Sequence, residues 1–293
     1  MENIGLIVDE GADLPREIIE RYQIGVVPIK LKWPEVAVLP GQNIYQKMRE
    51  AEKREIKSFG KTSQPSPKDF LDAYKKQLEN FEGIICITLT SKLSGTHNSA
   101  LQAKNFLGPE EQKKVFVIDS LSVSGGEALL VLKAIKYIKD GKMGTGEIVK
   151  KLEKWRPKIF LRVIFKDPKW VQAAGRMSPT IANWVRMMEK IGVRPLIGLK
   201  EGVLKSVGIK TGAKDISVAL FKEIKEKTEK LRKQNKKIEV IINHGDILET
   251  AQKLKEMIEK ELKGAKIILI SLVNDIVGSL AGPDALAISW TEG

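Results

Sequence analysis

The first half of the chain alternates apolar, β-branched runs with amphipathic helical patterns. The runs at Ile4–Val8, Gly83–Leu89 and Val115–Ile118 predict strands, and a helical pattern follows each of them. Strict alternation of strand and helix predicts a parallel sheet with right-handed crossovers. Because ligands bind beyond the carboxyl ends of the strands in such sheets, we expect the loops after these three strands to line a binding site.

The second half predicts a separate α/β domain. Lys158–Phe165 predicts a strand, and the sequence after it predicts helices, a hairpin and a strand–helix–strand unit. A glycine-rich stretch at 141–146 follows a long helical pattern, which indicates a boundary there or just after the next helix. At 293 residues the chain is long for a single core. We therefore predict two domains, residues 1–155 and residues 156–293.

The charge balance bears on nucleic-acid binding. The chain carries 50 Lys and Arg residues against 37 Asp and Glu, a net charge of +13. Much of the excess lies in stretches such as Lys222–Lys237, where Lys and Glu are interleaved, and this favours a solvated helix face. A nucleic-acid surface is the alternative, but aromatic residues are only 6% of the chain and are not interleaved with the basic ones. We predict no nucleic-acid partner, while an acidic ligand or partner stays open.

Cysteine use and hydropathy indicate the cellular setting. Cys86 is the only cysteine, so the chain forms no internal disulfide and no cysteine-based zinc site. The longest apolar runs, such as Ile267–Val273, are too short to span a bilayer. The N-terminal segment reaches Asp9 and Glu10 after one short apolar run, unlike a signal peptide. We expect a cytoplasmic protein with no transmembrane segment.

Two stretches rich in small hydroxyl residues stand just ahead of helical patterns. Residues 61–67 read Lys-Thr-Ser-Gln-Pro-Ser-Pro, and residues 90–96 read Thr-Ser-Lys-Leu-Ser-Gly-Thr. The start of a helix carries unpaired backbone N–H groups and the positive end of the helix dipole, so it favours an anion. Two such starts with spare hydroxyl groups can hold one carboxylate or phosphate. The pattern therefore predicts an anion-binding site.

Nucleotide and metal motifs are incomplete. Gly60-Lys61-Thr62 is similar to the end of a P-loop, but Glu55 stands where that motif requires its first glycine. No G-x-G-x-x-G dinucleotide motif occurs. His244 lacks the further His or carboxylate partners that a metal site requires, and a turn with helix capping by Asp246 accounts for this segment. We predict no cofactor and no metal.

A serine hydrolase is the enzymatic alternative. Ser94 and His97 lie three residues apart, and Asp119 or Asp9 can orient an imidazole at the same edge of the sheet. However, the chain has no G-x-S-x-G elbow, and such spacing arises easily by chance. We therefore predict no catalytic residue and keep a stand-alone serine-dependent esterase or transferase as the alternative.

Six motifs are spread along the chain: Asp9-x-x-Ala12-Asp13-Leu14-Pro15, Thr62-Ser63-Gln64-Pro65-Ser66, Leu93-Ser94-Gly95-Thr96, Ile118-Asp119-Ser120, Gly175-Arg176-Met177-Ser178 and Gly282-Pro283. Through these motifs the chain resembles, from end to end, the DegV family, whose members bind fatty acids. The resemblance implies an α/β fold with two domains. It implies an N-terminal three-layer domain with a parallel sheet, a C-terminal domain with a mixed sheet, and a ligand tunnel between them.

The resemblance also implies roles for individual residues. Thr62 and Ser94 would bind the carboxylate of a long-chain fatty acid. A surrounding head-group wall is expected from Ser63, Gly95, Thr96, Asp9, Ser120 and Arg176. Many family members resemble acyl-carrier partners of a fatty-acid kinase, which uses ATP to convert the bound carboxylate into an acyl phosphate. The resemblance thus implies a non-catalytic binding protein, with the chemistry in the partner.

The chain departs from the family pattern near the head group. Glu10 stands where relatives carry a hydroxyl residue, Leu280 where many have histidine, and Asp284 where the Gly-Pro-Gly turn ends in glycine. His97 replaces a frequent tyrosine, and Ala174 replaces a glycine. These departures leave the details of head-group recognition, and the acyl length, open.

Overall fold

The computed structural model describes residues 2–212 and 215–293 and divides into two compact units. Unit 1 comprises Met1–Lys30, Thr62–Ile159 and Glu201–Val203. Unit 2 comprises Leu31–Lys61, Phe160–Lys200 and Leu204–Gly293.

The secondary structure alternates between strands and helices in both units. The strands are β1 (Ile4–Asp9), β2 (Gly25–Val27), β3 (Lys30–Lys32), β4 (Lys61–Ser63), β5 (Gly83–Thr88), β6 (Val115–Asp119), β7 (Phe160–Ile164), β8 (Arg194–Lys200), β9 (Val203–Lys210), β10 (Ile238–His244), β11 (Ala265–Leu272) and β12 (Leu286–Glu292). The α-helices are α1 (Arg16–Arg21), α2 (Pro34–Ala37), α3 (Ile44–Lys53), α4 (Pro67–Leu78), α5 (Thr96–Asn105), α6 (Pro109–Lys114), α7 (Gly125–Asp140), α8 (Thr145–Trp155), α9 (Lys169–Ala173), α10 (Pro179–Lys190), α11 (Ile216–Lys227), α12 (Glu229–Lys233), α13 (Leu248–Glu261) and α14 (Asp275–Ala281). Short 3-10 helices span Glu10–Ala12 and Arg156–Lys158. Among the described residues, no helix combines the length and the apolar character that a membrane crossing requires.

Unit 1 is built on a parallel sheet in the order β2-β1-β5-β6. β1 pairs in parallel with β2 and β5, and β5 pairs in parallel with β6. Side chains along β1 alternate between two cores, since Leu6 and Val8 pack on one face and Ile7 packs on the other. Helices α7 and α8 cover the first face, and α4 and α5 cover the second. The predicted three-layer parallel domain is thereby confirmed.

Unit 2 is built on a mixed sheet in the order β11-β10-β12-β7-β8-β9. β10 pairs in parallel with β11 and antiparallel with β12, which in turn is antiparallel to β7. Helices α11 and α13 pack on the sheet through a core that includes Leu220, Leu254 and Trp290. The mixed sheet confirms the expected fold class.

A buried ion-pair network lies beside this core. Glu223 is 1% exposed, and its carboxylate accepts a hydrogen bond from Arg162 Nε at 3.0 Å. Lys210 Nζ lies 2.9 Å from the second carboxylate oxygen of Glu223. The Arg162 guanidinium also lies over the ring of Trp290, 5.4 Å from its centroid. Because these charged groups are buried away from water, each depends on its oppositely charged partner to offset the cost of lost hydration.

Residues 31–61 pack in unit 2 rather than in the predicted continuous domain of residues 1–155. Helix α3 buries Tyr45 and Met48 in one cluster with Trp170 and Val273. The hydroxyl of Tyr45 donates a hydrogen bond to the carbonyl oxygen of Val273 at 3.0 Å. This assignment depends on contacts between residues more than a hundred positions apart, which local patterns do not reveal. The later boundary falls between residues 159 and 160 rather than 155 and 156.

Lysines of the basic stretch 222–237 form ion pairs at the surface. Lys225 pairs with Glu261 at 2.6 Å, and Lys233 pairs with Glu229 at 2.7 Å. This pairing supports the interpretation of the stretch as a solvated helix surface. The absence of a nucleic-acid partner stays a prediction.

Candidate functional site

The two hydroxyl-rich stretches lie against each other in unit 1. Gln64 Nε2 donates a hydrogen bond to Ser99 Oγ at 3.1 Å. A Cβ atom built on Gly95 would lie 2.0 Å from Gln64 Oε1, so the absence of that atom lets the Gln64 amide pack directly on the second stretch. Thr62 is two residues from Gln64 and Ser94 is adjacent to Gly95, so this contact brings the segments of the two predicted carboxylate ligands together. Their joint contact with one carboxylate stays a prediction.

The first stretch runs from β4 into α4. Thr62 is half-buried and Ser63 is exposed, both at the end of β4. Ser66 is the N-cap of α4: its Oγ accepts from Asp69 N at 3.2 Å, and the Asp69 carboxylate accepts from Ser66 N at 2.7 Å. The hydrogen bonds that Ser66 N and Ser66 Oγ donate to the Asp69 carboxylate lower the pKa of Asp69. The capping box of Ser66 and Asp69 already engages the first turn of α4, and anion binding at this helix start stays a prediction.

The second stretch leads into α5, which begins at Thr96 with Gly95 as its N-cap. Gly95 has no side chain that can cap the helix. Ser94 Oγ lies 2.8 Å from Thr96 Oγ1 and accepts from Thr96 N at 3.3 Å. Ser94 and Gly95 are half-buried, whereas Thr96 is fully buried. The Ser94 hydroxyl therefore stands at the positive end of α5, where backbone N–H groups favour an anion.

Two aspartates brace the loop that precedes Ser94. Asp9, at the end of β1, is fully buried and accepts from Leu89 N at 2.8 Å and from Gly11 N at 2.7 Å. Asp119, at the end of β6, accepts from Ser91 N at 3.2 Å. Both carboxylates lie at the carboxyl ends of parallel strands, as the sheet pattern predicts. Asp9 therefore holds the loop through the hydrogen bond from the backbone N–H of Leu89.

Two buried side chains near the carboxyl ends of these strands are acidic, namely Asp9 and Glu127. Burial raises the pKa of Asp9 to about 7 against its backbone hydrogen bonds, and Glu10 adds to the increase. Burial, followed by the charges of Asp9, Asp119 and Asp13, raises the pKa of Glu127 well above its usual value. Within the described residues neither carboxyl oxygen of Glu127 has a hydrogen-bond partner. Glu127 is not among the residues predicted from the sequence, although an acid inside the apolar first turn of α7 is a signal for it.

Ser120 and Glu10 shape the loops around this edge. Ser120 is 1% exposed, and its Oγ both donates to the carbonyl oxygen of Ser122 and accepts from Ser122 N, each at 3.1 Å. A direct contact of Ser120 with a head group stays a prediction. Glu10 accepts a hydrogen bond from Ile29 N at 2.6 Å. Glu10 thus ties the loop after β1 to the segment after β2.

The pair expected for a serine hydrolase is not formed among the described side chains. His97 Nδ1 lies 3.1 Å from Thr88 Oγ1, whereas Ser94 Oγ contacts Thr96. Burial lowers the pKa of His97, and the nearby Asp119 partly opposes this effect. Nucleophilic catalysis requires a base within hydrogen-bond reach of the hydroxyl, and this geometry does not favour it.

Arg176 lies in unit 2, in the turn between α9 and α10. Gly175 has a φ of +72°, which lets the chain reverse direction after α9. Arg176 is half-buried, and its Nη1 donates to the carbonyl oxygen of Ala174. Ser178 caps α10 by accepting from Ile181 N at 3.3 Å. The predicted place of Arg176 near a head group stays a prediction.

Asp284 is held by ion pairs within unit 2. Arg49 Nη2 and Lys166 Nζ each lie 2.7 Å from its carboxylate. The same guanidinium pairs with Asp246 at 2.5 Å. The carboxylate therefore joins a charge network. A surface pocket of about 550 Å³ lies beside it, with lining residues Glu52, Lys166, Asp167, Trp170, Arg186, Glu189, Lys190, Pro283 and Asp284.

His244 takes part in a turn. Its Nδ1 accepts a hydrogen bond from Ile247 N at 3.3 Å, and burial lowers its pKa. Over residues 2–212 and 215–293, no group of three or more His, Cys, Asp or Glu side chains is arranged to hold a metal ion.

Comparisons with known proteins agree with this architecture. A family model described as an uncharacterised protein of the DegV family matches residues 3–293. A protein of Thermotoga maritima named as a fatty acid-binding protein is 29% identical over 297 aligned positions, covering 96% of this chain and 94% of that protein.

Solved structures share the fold along the whole chain. The structure of a DegV family protein from Thermus thermophilus, described by its fatty acid binding, has a TM-score of 0.83 at 23% identity, covering 99% of this chain and 100% of that one. A stearic acid-binding protein from Eubacterium ventriosum has a TM-score of 0.80 at 21% identity, covering 100% and 98%. At these identities the likeness establishes the fold alone.

Proposed function

The chain belongs to the DegV family, and from that membership we propose that it binds a long-chain fatty acid through Thr62 and Ser94. The observation that carries the proposal is the packing of Gln64 on Gly95, which brings the two hydroxyl-rich stretches together beside the start of α5. The Thermotoga and Eubacterium proteins, named for fatty-acid and stearic-acid binding, support this ligand class.

In this proposal the tail provides the affinity and the loops provide the orientation. Each buried methylene contributes about 0.8 kcal/mol, so a tail of about fifteen yields roughly 12 kcal/mol before entropy costs. The carboxylate accepts hydrogen bonds from the hydroxyls of Thr62 and Ser94 and from N–H groups at the start of α5. Ser63, Gly95 and Thr96 complete the wall in this proposal.

We further propose that the protein is a cytoplasmic carrier for an ATP-dependent fatty-acid kinase. A carboxylate oxygen of the bound ligand would attack the γ-phosphorus of ATP, forming an acyl phosphate and releasing ADP. Hydroxyl and N–H groups hold the carboxylate by hydrogen bonds and leave one of its oxygens able to act as a nucleophile. A tight salt bridge would engage that oxygen. Ser94 Oγ contacts Thr96 and His97 Nδ1 contacts Thr88, so these two side chains do not form the nucleophile–base pair that an esterase requires. This arrangement supports a carrier over an esterase.

Native mass spectrometry with lipid extraction tests the ligand class. We expect a bound long-chain fatty acid, or uptake of added hexadecanoic acid. Thr62→Ala and Ser94→Ala should each weaken binding by roughly 10- to 100-fold, because a hydrogen bond to a charged group contributes about 1.5–3 kcal/mol. The matched control is Ser206→Ala, on an exposed position of β9. Empty protein that also fails to take up the added acid would refute the proposal.

Transfer of labelled phosphate tests the carrier role. With a fatty-acid kinase from the same organism, labelled ATP should give a hydroxylamine-sensitive acyl phosphate only when this protein and a fatty acid are both present. Turnover of a chromogenic ester by the protein alone, abolished in Ser94→Ala, would favour the esterase instead.

A further inference from the structure

Two buried carboxyl groups lie at the edge of the sheet that carries the loop of Ser94. Asp9 and Glu127 are both fully buried. Asp9 contacts that loop directly, through the hydrogen bond from Leu89 N at 2.8 Å. Both carboxyl oxygens of Glu127 lack a hydrogen-bond partner within the described residues. An ionised carboxylate without partners is costly in a buried position, so Glu127 holds a proton.

The ionisable surroundings of these two groups are mainly acidic. The facing groups are Glu10 and Asp13 after β1, Cys86 on β5 and Asp119 on β6, with His97 and Arg156 next to Asp119. Arg156 Nη1 donates to the backbone carbonyl of Asp119 at 2.5 Å. The hydrogen bonds to the Asp9 carboxylate come from backbone N–H groups, which carry only partial charge. A further negative charge brought to this edge therefore meets an acidic environment.

We propose that binding of a fatty-acid carboxylate at Thr62 and Ser94 is coupled to proton uptake by Asp9, while Glu127 stays protonated. This inference rests on the function proposed above. The ligand adds a negative charge near the loop that Asp9 braces, and like charges disfavour each other's ionised form. The coupling is reciprocal, so protonation of Asp9 raises the affinity for the carboxylate by the same factor.

The coupling acts in the neutral range. The pKa of Asp9 is about 7 in this structure, so its protonation changes around that pH. A bound carboxylate that raises this value by about one unit makes the affinity roughly tenfold higher at low pH than at high pH. The same shift implies uptake of about 0.5 proton per ligand near pH 7.5. A monomeric carboxylic acid ionises near pH 4 to 5, so the ligand charge stays constant over this range.

Equilibrium dialysis with radiolabelled hexadecanoic acid at nanomolar concentration, from about pH 6 to about pH 9, tests the coupling. We expect the affinity of the wild-type protein to fall roughly tenfold over that range. Asp9→Asn should remove most of this dependence. Glu127→Gln should retain it, because an amide replaces a carboxyl that is already neutral. The matched control, Asp72→Asn on an exposed position of α4, should retain it as well.

Calorimetric titration of the wild-type protein with decanoate, in phosphate and in Tris at one pH, counts the protons taken up on binding. This measurement tests the coupling even where Asp9→Asn does not fold. A flat affinity profile with no proton uptake would overturn the coupling and leave fatty-acid binding intact. Loss of the dependence in Glu127→Gln but not in Asp9→Asn would overturn the assignment to Asp9. Absence of binding at every pH would instead refute the proposed function.

Discussion

Replacing Gly95 by alanine tests whether the packing of Gln64 holds the two hydroxyl-rich stretches in place. The new Cβ atom would lie 2.0 Å from Gln64 Oε1 and 2.7 Å from its Nε2, whereas real Cβ atoms essentially never approach another atom under 3.0 Å. The amide must therefore move by about 1 Å, the difference between these distances. That movement breaks the 3.1 Å hydrogen bond from Gln64 Nε2 to Ser99.

The effects on stability and on binding should differ. Loss of one hydrogen bond costs about 1 kcal/mol. Gly95 has φ −76° and ψ 5°, which alanine adopts without strain, so the replacement recovers about 0.4–1 kcal/mol from lower entropy of the unfolded chain. The free energy of unfolding should change by less than about 1 kcal/mol. We expect the displaced amide to shift the Thr62 stretch, which would remove at least one charge-assisted hydrogen bond from the ligand, so affinity should fall about tenfold or more.

Urea unfolding followed by circular dichroism, together with fatty-acid dialysis, separates the two effects. Gly146→Ala in α8 is the control: the nearest atoms to its Cβ belong to Phe116 at 3.7 Å, an ordinary contact. It should stabilise the fold by about 0.5–1 kcal/mol and leave affinity unchanged. Wild-type affinity in a folded Gly95→Ala protein would refute the argument that this packing sets the site.

Two further predictions concern stability. Glu223→Ala leaves Arg162 buried without its acidic partner, so it should lower the free energy of unfolding by about 3–5 kcal/mol. The surface control Glu261→Ala should cost under about 1 kcal/mol. Equal costs of the two substitutions in urea unfolding would contradict this prediction. The pKa of Asp9 in the fold, about 7, exceeds its ordinary 3.8, so the fold binds more protons than the unfolded chain between these values and loses stability as pH rises. Relative to Asp9→Asn, the wild-type protein should lose about 2.5 kcal/mol between about pH 5 and pH 8, and a gain over that range would refute the assignment.

Local patterns predicted much of the fold and part of the site. The strand–helix alternation of the first half predicts the parallel sheet of unit 1, because apolar periodicity depends on residues only a few positions apart. Ser66 and Asp69 stand at the spacing of a capping box, and the structure contains that box. Six motifs, including those around Thr62 and Ser94, indicate the family, and the family match over residues 3–293 confirms it.

Contacts between distant residues were decided only by the tertiary structure. Residues 31–61 join unit 2 because Tyr45 packs with Val273, more than two hundred positions away. The packing of Gln64 on Gly95 and the burial of Asp9 and Glu127 likewise depend on which loops meet at the sheet edge. The sequence determines which segments become strands and helices, since that choice is governed by neighbouring residues. Desolvation, and with it the pKa values of the site, follows from packing that only the folded chain creates.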